Sequence, residues 1–175
     1  MTRRDRTLGL LAVAGYIATI YLANWAITRW GIVSVGFGLY APAGVYFAGL
    51  AFTLRDAVHE TLGRRYVILA ILAGAAASFW VSSAFAFASG TAFLISELAD
   101  MAVYTPLRER RAALAVLASN VVGAVIDSAV FLWLAFGSLE FLRGQVVGKV
   151  WVTLPFVAAV ALWKRWPRAE PAAGK

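Results

Sequence analysis

The stretch Ala112–Phe136 reads AALAVLASNVVGAVIDSAVFLWLAF, and Asp127 is its single ionisable residue. An α-helix needs about 20 predominantly apolar residues to cross a hydrocarbon core of about 30 Å, so this run is long enough to span a bilayer. Its polarity does not alternate residue by residue, as a strand of a membrane barrel would require. Working outward, similar runs occur at Leu8–Ile27, Ile32–Leu54, Tyr66–Ala88, Thr91–Leu107 and Gln145–Trp163. The chain therefore reads as a single all-α membrane domain over residues 1–175, with six expected transmembrane helices.

Composition points the same way. Of the 175 residues, 62% are hydrophobic and 14% charged, with a mean hydropathy of +0.77. A soluble domain is about half apolar and a quarter charged, so this excess excludes a soluble enzyme or a disordered tail. A formal charge of +7 invites a nucleic-acid reading, but the basic residues sit in short clusters between apolar runs, which argues against that partner. There is no cysteine and only one histidine, His59, so thiolate or multi-histidine metal sites are excluded. No cofactor is called for.

The basic clusters orient the bundle. Arg3, Arg4 and Arg6; Arg55, Arg64 and Arg65; Arg108, Arg110 and Arg111; and Lys164, Arg165, Arg168 and Lys175 fall on one side. The loops of the other side hold only Arg29 and Arg143. The positive-inside rule then places both termini in the cytoplasm of an inner-membrane protein. Trp25, Trp30, Trp163 and Trp166 lie near span ends, as an interfacial aromatic belt requires. The first run is too long for a signal-peptide core and lacks a convincing cleavage site, so it is expected to be retained. Residues 167–175 read as a short solvated tail.

An ionisable group at bilayer depth costs about 3 kcal/mol or more and usually faces the bundle interior for a reason. Glu97, Asp100, Asp127 and Lys149 qualify. Glu97 and Asp100 are three apart on one helix face. Asn120, Gly123 or Ala124, and Asp127 form a polar, small-residue stripe, flanked by Ser119 and Ser128. Gln145 and Lys149 are four apart. These stripes are expected to face a common cavity, with Lys149 paired to a carboxylate. The bland alternative is a structural ion pair, although a buried pair gives little net stability.

Other patterns are weaker. Asp56, His59, Glu60 and Gly63 lie close to Arg64 and Arg65, a grouping better suited to helix salt bridges than to a metal. Gly144-x-x-x-Gly148-Lys149 is one residue short of a phosphate-binding loop and has Val150 where Ser or Thr belongs. Its glycines read as small-xxx-small helix packing. Ala14-x-x-x-Ala18 has the same reading, or offers a docking face for another membrane subunit.

Three stretches carry a family resemblance: RDAVHETLGRR at Arg55–Arg65, SELADMAVYTPLR at Ser96–Arg108, and SNVVGAVIDSAVFLWLAF at Ser119–Phe136, followed by Lys149. In order and spacing they resemble the queuosine precursor transporter, or vitamin uptake, family. That resemblance implies six helices arranged like the substrate-binding subunit of energy-coupling-factor vitamin transporters, and import of deazaguanine bases. It maps Asp56, Glu60, Gly63 and Arg64 onto family motif positions. Substrate contacts are expected from Glu97, Asp100, Asn120, Asp127, Lys149 and Trp151. Trp80, Trp133, Tyr46 and Phe93 are further aromatic candidates for stacking on a flat ring. The alternative is a binding subunit for another vitamin, energised by a separate complex that docks through Ala14 and Ala18.

Overall fold

In the computed structural model the backbone is described for residues 3–108 and 112–165, and side chains for residues 6–59, 61–100, 102–104, 106–107 and 118–155. The expected tail, Trp166, Arg110 and Arg111 lie outside the described residues, as do the side chains of Glu60, Arg108 and Trp163.

The first helix, α1 (Arg3–Trp30), stops at Gly31, whose φ of 63° is left-handed. The next residues correct an expectation. Ile32–Pro42, assigned above to the second span, form an antiparallel hairpin of β1 (Ile32–Gly36) and β2 (Leu39–Pro42). Ile-Val-Ser-Val suits a pleated strand, and Gly36 and Gly38 take φ of 92° and 71° to turn the corner. Apolar content alone did not distinguish this segment from helix. The helix begins later, as α2 (Val45–Leu62).

The region between Arg55 and Arg65, expected as a cytoplasmic link, is mostly helix. α2 continues to Leu62, and only Gly63, with φ of 88°, separates it from α3 (Arg64–Ser78). The expected third span, Tyr66–Ala88, is also divided, because α3 ends at Ser78 and α4 (Ser83–Arg108) begins after a short turn. Ser82 is the local cause. Its Oγ accepts a bond from the Phe85 N–H at 3.4 Å, the N-cap position of α4. α5 (Ala112–Phe136) has the expected ends, closed by Gly137 at φ 66°, and α6 (Leu142–Arg165) completes the chain.

Among the described residues, Arg6–Trp30, Ser83–Tyr104 and Ala118–Phe136 are long and apolar enough to cross a membrane. α3 has only 15 residues, and α2, with 18, carries Arg55, Asp56, His59 and Glu60. The outward surface is nonetheless apolar on the shorter helices too. Leu69 and Leu72 of α3 are 60% and 51% exposed, and Leu154 of α6 is 60% exposed. Exposed apolar side chains in this number suit a surface that meets lipid. The chain is a mostly helical membrane protein.

Inside, Tyr16, Ile20, Val58, Val67, Ile71 and Phe93 form one buried cluster, and Ile27, Ala88, Ala92, Phe131 and Leu132 another. α6 seats closely because of glycine. A Cβ on Gly144 would overlap the Tyr40 carbonyl of β2, and one on Gly148 would come within 2.7 Å of Val45. The Gly144/Gly148 pair is a packing device, as its spacing suggested.

Candidate functional site

Helical spacing builds the site from four stripes. Ala48, Phe52 and Arg55 share one face of α2; Ser89, Phe93, Glu97 and Asp100 one face of α4; Asn120, Asp127 and Phe131 one face of α5; Gln145 and Lys149 one face of α6. They converge on the bundle axis, where Arg55, Glu97, Asp127, Gln145 and Lys149 are all buried.

Lys149 is fixed by three contacts. Its Nζ donates to Asp127 Oδ2 and, at 2.6 Å, to Ser128 Oγ. The Ser128 hydroxyl in turn donates to the Ala124 carbonyl at 2.7 Å, which leaves its lone pairs for the ammonium. The ammonium also lies 5.4 Å from the centre of the Phe52 ring.

Arg55 lies near the same ring, its guanidinium carbon 5.1 Å from the ring centre, with a separate set of partners. Its Nη2 and Nε donate to Asp56 Oδ1 at 2.7 and 3.0 Å. Nη1 is 3.3 Å from Glu97 Oε2, and Nη2 is 3.9 Å from Asp100 Oδ1 and 3.3 Å from Asn120 Oδ1. This corrects the charge count above, where Arg55 stood with the solvated cytoplasmic cations. It is only 5% exposed. Arg55 and Phe52 are among the site residues that sequence reasoning missed, as are Asn24, Ser89 and Phe131. The available signal for Phe52 and Arg55 was their four- and seven-residue spacing from Ala48, read through a segment taken for a loop.

Beside the Asp127–Lys149 pair is a hollow lined by Ala23 and Ile27 of α1, Gly44 and Ala48, Ser89 and Phe93, Asp127 and Phe131, and Gln145. Five helices contribute. About 20 Å³ of it is open to the centre of a water molecule, which is room for about one water. Ser89 Oγ donates to Asn24 Oδ1 at 2.7 Å, and the Asn24 amide nitrogen, fully buried, has no acceptor among the described residues.

The expected substrate residues therefore separate. Asp127 borders the hollow, with Lys149 bound to it. Glu97, Asp100 and Asn120 surround Arg55, about 10 Å further along the axis by helical rise from Ala48 to Arg55. Trp151 is elsewhere: its Nε1 donates to the Val35 carbonyl at 3.0 Å and its ring stacks on Phe37 of the hairpin at 6.0 Å. Trp80 and Trp133 are 92% and 63% exposed. Tyr46 donates to the Ser34 carbonyl, and of the aromatic candidates Phe93 lines the hollow. Among the motif positions, Asp56 pairs with Arg55 and Gly63 is the α2–α3 hinge, while Arg64 has a buried Nε without an acceptor among the described residues. Ala14 and Ala18 are exposed on α1.

Ionisable side chains buried inside a membrane bundle commonly mark a substrate or ion pathway. Residues 79–164 match the family described as "Putative vitamin uptake transporter". The matched segment contains α4, α5 and nearly all of α6, and hence Glu97, Asp100, Asn120, Asp127 and Lys149. This likeness supports a transporter role and a small-molecule substrate. No curated protein and no solved structure gives a match.

Proposed function

We propose that the chain is a six-helix importer of queuosine precursors, deazaguanine bases or queuine, in the inner membrane with both termini cytoplasmic. The observation that carries this reading is the position of Asp127: a buried carboxylate, pinned by Lys149, on the wall of a hollow to which five helices contribute. The pyrimidine edge of a deazaguanine presents N–H and amino donors beside a carbonyl acceptor. Asp127 accepts the donors, while the amide of Gln145 serves the carbonyl. Phe93 and Phe131 meet the ring faces. A site made of such groups rejects ligands that leave them unpaired.

The hollow must widen to take a two-ring base. Expression in cells unable to make queuosine is expected to restore the modified base in their transfer RNA when precursor is supplied outside. Unmodified transfer RNA from cells with well-expressed protein would refute the reading. The second reading, a binding subunit energised by a separate complex, is favoured by the exposure of Ala14 and Ala18 on α1; co-purification of ATPase subunits would establish it.

A further inference from the structure

Arg55 meets three carboxylates with one positive charge. Asp56, whose side chain is 47% exposed, takes two of its N–H groups at 2.7 and 3.0 Å and keeps water as a partner. Glu97 and Asp100, with side chains 4% and 16% exposed, share what is left of the guanidinium at 3.3 and 3.9 Å. Neither Glu97 Oε2 nor Asp100 Oδ1 has a hydrogen-bond donor among the described residues, although both atoms are buried. Two ionised carboxylates in one low-dielectric site repel, and a buried oxygen without a donor is costly. A proton on one of them removes one of the two excess negative charges, the one held away from water.

Among the described residues the surrounding groups do not remove the excess. α1 contributes Tyr16, fully buried with an unpartnered hydroxyl, which ordinarily carries no charge. α5 and α6 contribute Asp127 and Lys149, which neutralise each other. Among the described residues no ion pair joins Arg64 or Arg65 of α3 to the pair, and the carboxylates form no group fit for a metal.

We propose that Glu97 and Asp100 hold one exchangeable proton between them, and that this proton accompanies the substrate across the membrane. The second clause rests on the transport reading above; the first does not. The proton binds to and leaves a carboxylate oxygen, so no other reactant is needed.

The full chain in lipid nanodiscs, taken from neutral to alkaline pH, is expected to lose a protonated-carboxyl stretching band in its infrared difference spectrum. Glu97→Gln and Asp100→Asn each remove or shift that band, and Asp127→Asn leaves it in place. A wild-type spectrum without the band, or a band unaltered in both variants, would overturn the proton site. In proteoliposomes, labelled 7-deazaguanine accumulates about tenfold per unit of an imposed gradient, acid outside, since one proton per neutral solute equates the two ratios. Accumulation indifferent to the gradient overturns the coupling. If the wild type takes up no 7-deazaguanine, the transport reading fails and the coupling with it, while the infrared band still decides whether the proton is held.

Discussion

Gly49 of α2 lies directly against the backbone of Lys149 on α6. A Cβ at position 49 would sit 2.9 Å from the Lys149 carbonyl oxygen and 3.1 Å from its Cα. The place of the ammonium is therefore set by a glycine on another helix, through a contact that leaves no room for a methyl group.

Gly49→Ala is expected to push α6 outward and weaken substrate binding about tenfold or more, because misplacement by a fraction of an ångström loosens Asp127 and Lys149 together. Equilibrium binding to the purified variant checks this. Unchanged binding would show that α6 adjusts freely and that the contact does not position the lysine.

Removing one member of the Asp127–Lys149 pair strands the other. Lys149→Met and Asp127→Asn are each expected to destabilise the protein by about 3 kcal/mol or more, while the double variant recovers much of that loss. Neither the single variants nor the double variant transports. Thermal unfolding in detergent, run beside uptake, separates the stability effect from the functional one.

Arg55 reaches four side chains with one planar fork, which a lysine does not reproduce. Arg55→Lys is expected to lower stability and slow uptake. Arg55→Met is expected to be worse, because it leaves Glu97 buried without a cation, and adding Glu97→Gln restores part of the stability. A double-mutant cycle on unfolding temperature measures the coupling.

Trp151 tests the placement of the site. Trp151→Phe removes the bond to the Val35 carbonyl and keeps the ring near Phe37, at a cost of about 1 kcal/mol to the hairpin. Faster amide exchange in Ile32–Pro42 with unaltered substrate affinity is expected. A large loss of affinity would return Trp151 to the binding site.

Residue pattern disclosed the elements governed by a strong local signal. α5 keeps the ends read from its apolar run because Gly137 closes it, and Lys149 finds a carboxylate because a buried ammonium needs one. The hairpin at Ile32–Pro42 stayed hidden because its β-branched residues are as apolar as a span, so only the glycines at 31, 36 and 38 marked it. The α3–α4 turn is masked in the same way, with Ser78, Ser82 and Ser83 the polar cues inside a hydrophobic run. Arg55 escaped because basic residues at a helix end are normally solvated, and its burial depends on Glu97 and Asn120, both distant in sequence. Trp151 was misplaced because an aromatic two residues from Lys149 lies on a different face of the helix.

The central claim is that Asp127 receives the donor edge of a planar base in the hollow between the helices. Equilibrium binding of labelled 7-deazaguanine to the purified wild-type chain and to Asp127→Asn/Lys149→Met, which keeps the fold without the charges, tests it most directly. Saturable binding by the wild type and at least about a hundredfold weaker binding by the double variant, the scale expected when a buried polar partner is lost, is the predicted result. Equal affinity in the two proteins, or no saturable binding to a folded wild type, would contradict it.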